Sequence, residues 1–185
     1  MYLIVGLGNP EEEYARTRHN MGFEVINKLS KEYDINLSKT KFKGLYGTGN
    51  IEKEKVILLK PQTYMNLSGE SIIEFINFYK IPLENVIIIY DDIDTGVEKI
   101  KIRKKGGPGT HNGMKSVVER LKTEEFTRIR VGIGSPKENI DLISYVIGHV
   151  EDEEYNKLQL GAEKAEKAVT EILKNGVDIA MNKYN

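Results

Sequence analysis

The chain has 185 residues and a formal net charge of −1, with 27 lysine and arginine residues against 28 aspartate and glutamate residues. Hydrophobic residues make up 39% of it, which is enough for one domain with its own core. Because cysteine is absent, disulfides, a thiolate nucleophile and a thiolate metal site are excluded, and a reducing cytoplasmic compartment is consistent with this. The N-terminal apolar run is short and no basic segment precedes it, so neither a signal peptide nor a membrane span is expected.

The basic residues are concentrated in one segment of the chain. Between Lys99 and Arg130 the sequence has ten lysines and arginines but only three glutamates, whereas Glu151 to Glu154 is an acidic run. A solvated face is the ordinary explanation of such a charge run, and a polyanionic partner such as nucleic acid is the functional one. The near-neutral total therefore does not exclude a nucleic-acid ligand.

The first half of the chain alternates strand-like and helix-like segments. Apolar runs bounded by Gly or Pro predict buried central strands at Tyr2 to Leu7 and at Val56 to Lys60. Between them, alternating apolar and polar residues from Phe42 to Ile51 predict a half-exposed or edge strand. Helical spacing predicts two amphipathic helices, whose apolar faces carry Phe23, Ile26, Leu29 and Tyr33 in one case and Ile72, Ile73, Ile76 and Tyr79 in the other.

The second half continues the same alternation. Buried strands are predicted at Val86 to Tyr90 and Ile129 to Ile133, a half-exposed strand at Val97 to Arg103, and helices around Val117 to Leu121 and from about Asp152 to Lys174, before Gly176. These elements predict a single α/β domain over residues 1 to 185. Its sheet is expected to be mixed, mostly parallel and twisted, with helices on both faces.

Polar motifs follow the predicted strands, where open α/β sheets bind their ligands. The sequence GLGNP, Gly6 to Pro10, follows the first strand, and Asp91, Asp92 and Asp94 follow the strand that ends at Tyr90. A loop with three glycines, GGPG, leads to His111 and Asn112 at the start of a helix. We expect these groups to converge at one edge of the sheet, next to a loop whose backbone can approach a ligand closely.

Two cofactor interpretations of these motifs are weak. A dinucleotide-binding fingerprint needs a third glycine where the chain has Glu11, and Pro10 opposes the usual turn into a helix. The aspartates and the three histidines show no zinc-helix spacing, although carboxylates can bind Mg²⁺ loosely. The chemistry that the residues suggest needs neither, so no cofactor and no metal are predicted.

A hydrolytic site explains the motifs better. We predict that His19 acts as a general base oriented by the carboxylate of Asp92, because a neutral imidazole takes a proton from water near pH 7. The side-chain amides of Asn9, Asn66 and Asn112 would hold the water, the scissile carbonyl and nearby polar groups. Each residue alone has a simpler explanation as a turn, a helix cap or an ordinary surface group. Their recurrence in four motif loops favours a site for hydrolysis of an activated acyl bond.

With these motifs the chain resembles the bacterial-type peptidyl-tRNA hydrolase family. The motifs VGLGNP, RHNMGF, KPQTYMNLSG, YDDIDTGVEKIKIR, GGPGTHNGMK and FTRIRVGIG occur in the family's order and cover residues 2 to about 135. The resemblance implies hydrolysis of the ester between a peptide and the terminal ribose of tRNA, which recycles tRNA released during translation. It also implies a cytoplasmic monomer that uses no cofactor and binds peptidyl-tRNA but no membrane.

The resemblance also implies a role for individual residues. His19 corresponds to the catalytic histidine and Asp92 to the acid that orients it, while Arg103 and Arg130 correspond to a basic pair that binds the tRNA 5′-phosphate. Five positions correspond to the substrate-binding cleft: Asn9, Tyr14, Met65, Asn66 and Asn112. The helix from about 152 to 174 is expected as a cover over this cleft, on resemblance alone. The chain departs from the family in having Tyr64 where Phe is common and Thr110 where Gly is common.

Two other classes of function remain open on the sequence alone. A non-catalytic RNA-binding protein can use the same scaffold without its chemistry. An esterase for small substrates can use the same base and amides, although the basic segment would then have no purpose.

Overall fold

A seven-stranded mixed sheet forms the centre of the molecule in a computed structural model that describes all 185 residues. The strands are β1 (Tyr2–Gly6), β2 (Lys39–Lys41), β3 (Gly44–Ile51), β4 (Glu54–Pro61), β5 (Val86–Asp92), β6 (Ile100–Arg103) and β7 (Thr127–Gly132). Their order across the sheet is β2-β3-β4-β1-β5-β7-β6. The four central strands β4, β1, β5 and β7 are parallel, whereas β2, β3 and β6 each run antiparallel to a neighbour.

Six helices cover the sheet. They are α1 (Met21–Glu32), α2 (Ser68–Tyr79), α3 (Asn112–Leu121), α4 (Leu142–Ile147), α5 (Asp152–Asn175) and α6 (Val177–Tyr184). The apolar sides of α1 and α5 share one core cluster with Ile87 and Ile89 of β5, and those of α2 and α3 share another with Val86 and Ile88. Side chains that alternate along β5 therefore face two different helix layers. No helix has the length and apolar character needed to cross a membrane.

The fold class and the main elements predicted from the sequence are confirmed. The four predicted buried strands are β1, β4, β5 and β7, and the two alternating segments form the antiparallel strands β3 and β6. Three short elements were not predicted: β2, whose three residues are all polar, and the helices α4 and α6. The last long helix is α5, which ends at Asn175, immediately before Gly176.

Two glycines bring the start of α1 against the sheet. A Cβ added to Gly6 of β1 would lie 2.1 Å from the carbonyl oxygen of Gly22, and one added to Gly22 would lie 2.4 Å from that of Ile89. Neither position can therefore hold a larger residue without moving the backbone. This close approach places the turn before α1, which carries His19, beside the carboxyl end of β5.

Candidate active site

A pocket of about 410 Å³ opens at the carboxyl ends of the parallel strands. Every central strand supplies part of its wall, through the loops after β1 and β4, the end of β5 and the side chain of Arg130 on β7. Eight of the nine predicted site residues line it: Asn9, Tyr14, His19, Met65, Asn66, Asp92, Asn112 and Arg130. The ninth, Arg103, lies outside the pocket on the edge strand β6. The expected convergence of the motif loops is thus confirmed.

The predicted partnership of His19 with Asp92 is wrong. His19 Nδ1 lies 2.9 Å from Oδ2 of Asp91, the preceding residue, whose side chain is only 2% exposed. Asp92 also lines the pocket, but its carboxylate accepts hydrogen bonds from the hydroxyl of Thr95 and the backbone N–H of Asp94. The acid that contacts the imidazole is therefore Asp91.

Strand geometry explains the difference. Successive side chains of β5 point to opposite faces of the sheet, so Asp91 continues the row of Ile87 and Ile89, which faces α1. Asp92 belongs to the other row, and its carboxylate caps the turn that follows β5. Since His19 lies in the turn immediately before α1, only Asp91 meets it.

The same carboxylate contacts a second imidazole, which sequence reasoning placed in a motif but did not assign to the site. His111 Nε2 lies 2.8 Å from Asp91 Oδ1, and the rings of His19 and His111 are 5.0 Å apart between centroids. His111 is also the residue that caps α3, where its Nδ1 accepts a hydrogen bond from the backbone N–H of Met114. Its position at the end of a glycine-rich loop and the start of a helix was the signal in the sequence.

These hydrogen bonds assign the protons of the cluster. Because His111 Nδ1 accepts from Met114, its proton is on Nε2, and this N–H donates to Asp91. The other oxygen of Asp91 then accepts from Nδ1–H of His19. Nε2 of His19 has no protein partner and keeps its lone pair, which is the tautomer that a general base needs.

Burial and charge act on this cluster in opposite directions. Burial alone would lower the pKa of His19, but the carboxylate of Asp91 stabilises the imidazolium by more, so the pKa lies above the ordinary 6.5. Burial alone would raise the pKa of Asp91, but His19 and His111 together hold it well below its usual range. Asp91 is therefore a carboxylate throughout the neutral range.

Asn9 is oriented by its backbone and its neighbours. Its side-chain Oδ1 accepts a hydrogen bond of 2.8 Å from the backbone N–H of Met65. Its own backbone N–H and carbonyl are both held by the side chain of Asn20, which is 3% exposed and was not predicted to belong to the site. Because the acceptor of Asn9 is occupied, its Nδ2 is left as a donor on the pocket wall.

The loop after β4 is held in a strained conformation beside Asn9. Tyr64 has φ of +64°, a region that a non-glycine residue rarely occupies and that is often found at functional sites. Its side chain is exposed, and its hydroxyl donates to the carboxylate of Glu11 in the loop after β1. This turn leaves Met65 buried and Asn66 exposed at the pocket, and Asn112 is likewise exposed at the start of α3.

An apolar part of the pocket wall comes from α4. Leu142, Ile143, Val146 and Ile147 all line the pocket, and Ile143 is 62% exposed. No residue of α5 lines it, because α5 packs against α1 and the sheet face beside it. The expectation that the long C-terminal helix covers the cleft is therefore wrong, and the short helix α4 occupies that place.

Arg103 and Arg130 lie on the same face of the sheet. Arg130 is opposite Lys101 in the pairing of β6 with β7, and Arg103 is opposite Arg128, so the two predicted phosphate ligands are diagonal neighbours. The backbone positions of such diagonal neighbours are about 7–8 Å apart, which is within reach of two long side chains. The Nε–H of Arg130 donates to the Tyr90 hydroxyl. Partial burial alone would lower the pKa of Arg130, but Tyr90, followed by the carboxylates of Asp92 and Asp94, raises it by more.

The His19, Asp91 and His111 donors lie within 4.8 Å of one another and are the one group that could hold a metal ion. Each of these atoms already has a hydrogen-bond partner within the group. The three aspartates considered from the sequence do not form a common ligand set, since Asp91 and Asp92 have different partners. The three side chains are therefore paired with one another as a hydrogen-bonded cluster.

A doubly covered α/β sheet with an imidazole, a buried carboxylate and several amides at its carboxyl edge defines the hydrolase class. Residues 3–185 match the model of a family described as peptidyl-tRNA hydrolase. The chain belongs to the peptidyl-tRNA hydrolase family.

Individual relatives agree with this assignment. The peptidyl-tRNA hydrolase of Caldanaerobacter subterraneus subsp. tengcongensis is 54% identical over 185 residues, which is all of both chains. That of a Clostridium botulinum strain is also 54% identical, over all of this chain and 96% of the other. The crystal structure of peptidyl-tRNA hydrolase from Acinetobacter baumannii superposes with a TM-score of 0.92 at 39% identity, covering 98% of this chain and 93% of that one.

Proposed function

We propose that this protein hydrolyses the ester between the peptide and the terminal ribose of peptidyl-tRNA, with His19 as the general base. The observation that supports it most directly is the contact of His19 Nδ1 with the buried carboxylate of Asp91, which leaves Nε2 free at the pocket. The site combines this base with amide donors and lies next to a basic sheet face, as a tRNA ester requires.

In the proposed reaction, Nε2 of His19 takes a proton from water as the water oxygen attacks the ester carbonyl. The imidazolium that forms is stabilised by Asp91, and the negative charge on the carbonyl oxygen is stabilised by side-chain amides of the pocket, among which Asn9 offers an oriented donor. The tetrahedral intermediate then expels the ribose oxygen, which receives the proton from His19. Peptide acid and free tRNA leave, and the base is regenerated.

The two ends of the substrate would lie on different walls. The apolar side chains of α4 suit the peptide, whereas the exposed amides of Asn66 and Asn112 suit the polar groups around the ester and ribose. Arg103 and Arg130 would bind the 5′-phosphate of the tRNA, with the guanidinium groups donating pairs of hydrogen bonds to phosphate oxygens. The assignment of the compartment as cytoplasmic and of the protein as a monomer follows the family expectation.

The experiment that tests this function follows release of a labelled N-acetylaminoacyl group from tRNA in the presence of EDTA. Unblocked aminoacyl-tRNA and a small ester serve as control substrates. Rapid cleavage of the blocked tRNA alone supports the proposal. Tight tRNA binding without cleavage would identify a non-catalytic RNA-binding protein, equal cleavage of the small ester would identify a general esterase, and loss of activity in EDTA would point to a metal.

The acid limb of the pH profile should report His19. Because only the neutral imidazole accepts a proton, and because its pKa is raised above 6.5, kcat/KM should fall as the pH decreases through a value above 6.5. Initial rates between pH 5 and 9, corrected for spontaneous ester hydrolysis, measure this. A profile that stays flat down to pH 6 would contradict a base with these surroundings.

Removing either arginine should weaken tRNA binding through electrostatics. Arg103→Gln and Arg130→Gln are each expected to raise KM for full-length peptidyl-tRNA about tenfold, since each removes a charged hydrogen bond, with little change in kcat. The slope of log(kcat/KM) against log[salt] should fall by about one for each phosphate that the variant no longer binds. Lys53→Gln, at an exposed turn beside the amino end of β4, is the matched control. An unchanged slope in both arginine variants would remove the phosphate assignment.

A further inference from the structure

Arg18 precedes His19 in the turn before α1, and its side chain is directed into the protein. The residue is only 8% exposed, and its guanidinium lies between three elements: the turn itself, α4 and the first turn of α5. A buried guanidinium is costly unless it is well paired, so its contacts indicate what it holds in place.

On one side Arg18 caps the short helix α4. The last four carbonyls of a helix have no partner within it, and Tyr145 O in the six-residue α4 is one of these. Nη1 of Arg18 donates to Tyr145 O at 3.2 Å, and its Cζ lies 4.0 Å from the centre of the Tyr145 ring. A cation at a helix C-terminus also interacts favourably with the helix dipole. Arg18 thus satisfies and stabilises the end of α4 from outside.

On the other side Arg18 is anchored to a long helix. Nη2 donates to the carboxylate of Glu154 in the first turn of α5 at 2.5 Å. Its Nε has no partner although it is buried, so this arrangement does not satisfy every donor of the side chain. Its two hydrogen bonds connect the turn that carries His19 to α4, which lines the pocket, and to the start of α5.

A helix of six residues depends on such external contacts, because a helix of fewer than two turns is not stable alone. The other anchors of α4 are the hydroxyl of Tyr145, which donates to Ile133 O, the cap formed by Asp141, and the buried side chain of Val146. The contact with Arg18 differs from these three anchors, because Arg18 is the residue next to His19 in the chain.

We propose that Arg18 is a positioning residue that couples the turn carrying His19 to α4, and so sets the distance between the general base and the apolar wall that receives the peptide. This inference rests on the proposed function, in which the acyl part of the substrate lies against α4. Removing the coupling should therefore affect substrates with a large apolar residue at the ester more than those with glycine.

The test compares Arg18→Gln and Arg18→Lys with wild type on N-acetylleucyl and N-acetylglycyl groups attached to the same tRNA body. Arg16→Gln is the matched control, because Arg16 also pairs with α5, through Asp152, and stacks on Tyr155, but is exposed and has no hydrogen bond to α4. Hydrogen exchange of the α4 amides is measured on the same proteins. Lysine keeps the charge but cannot hold both partners with a planar fork.

For Arg18→Gln, kcat/KM for the leucyl substrate should fall about tenfold more than for the glycyl substrate, and the α4 amides should exchange about tenfold faster, while those of β5 are unchanged. Arg18→Lys should lie between it and wild type, and Arg16→Gln should match wild type. Equal reductions on both substrates with unchanged exchange in α4 would overturn the proposal, as would the same effects in Arg16→Gln. If wild type cleaves neither substrate, the proposed function fails, and the exchange data alone decide whether Arg18 holds α4.

Discussion

His19→Ala should lower kcat for peptidyl-tRNA by roughly two to four orders of magnitude, because it removes the proposed general base. The expected reduction is large because the pocket has no second base in the same position. His111 has its Nδ1 occupied by Met114 and its Nε2–H directed to Asp91, so it has no free lone pair. Single-turnover cleavage of N-acetylaminoacyl-tRNA measures the chemical step without product release.

The control for this variant is His149→Ala. His149 is the third histidine of the chain, and its side chain is 77% exposed, near Glu151. Its replacement should leave kcat unchanged. The affinity of His19→Ala for uncleaved substrate should also stay close to that of wild type, because His19 is proposed to act in the chemical step and the proposed tRNA contacts lie on β6 and β7. Nearly full activity of His19→Ala would exclude it as the base.

Much of this site could be predicted from the sequence because its residues belong to local motifs. His19, Asn9, Asn66 and Asn112 each follow a predicted strand or begin a predicted helix, and the carboxyl ends of parallel strands lie at one edge of a sheet. Once the alternation of elements predicts the sheet, the convergence of those loops follows from it. Neither the order of the strands nor any distance was needed for that step.

The sequence does not indicate which carboxylate forms the hydrogen bond with His19. Asp91 and Asp92 are adjacent and chemically equal, and which of them meets His19 depends on which face of β5 packs against α1. Every residue of β5 from Val86 to Asp91 is buried, so the strand lacks the apolar and polar alternation that would distinguish its two faces. The role of His111 depended on the same contact, because its partner is Asp91 and no local spacing relates it to His19.

The helix α4, which forms an apolar part of the pocket wall, was not predicted for a different reason. The six residues of α4, LISYVI, are mostly apolar and do not complete two helical turns, so no helical period can be read from them. The long α5 has a clear period, and the family resemblance led to its assignment as the cover. In the structure, the length of α5 serves packing against α1, and the shorter element reaches the pocket.

Asp91→Asn and Asp92→Asn together decide between the two carboxylates. Asp91→Asn should lower kcat by about two to four orders of magnitude, as expected when a catalytic histidine is left in the wrong tautomer. The carboxylate accepts one N–H from each of two imidazoles, whereas an amide offers one oxygen and one NH₂ group. One histidine must then present a lone pair to that NH₂ group. His111 cannot do so, because its Nδ1 accepts from the backbone N–H of Met114 and its proton stays on Nε2. The proton of His19 therefore moves to Nε2, and the base is lost.

Asp92→Asn is the matched control, with the same substitution one residue away on the same pocket. Its amide oxygen can still accept from Thr95 or from the N–H of Asp94, so kcat should stay within about threefold of wild type. The acid limb of the pH profile adds a second, independent comparison. Because Asp91 raises the pKa of His19 against the effect of burial, the limb should move to lower pH in Asp91→Asn and remain in place in Asp92→Asn. If instead Asp92→Asn lowered kcat and moved the acid limb while Asp91→Asn changed neither, Asp92 would be the orienting acid. That result would require a different arrangement of β5 during catalysis.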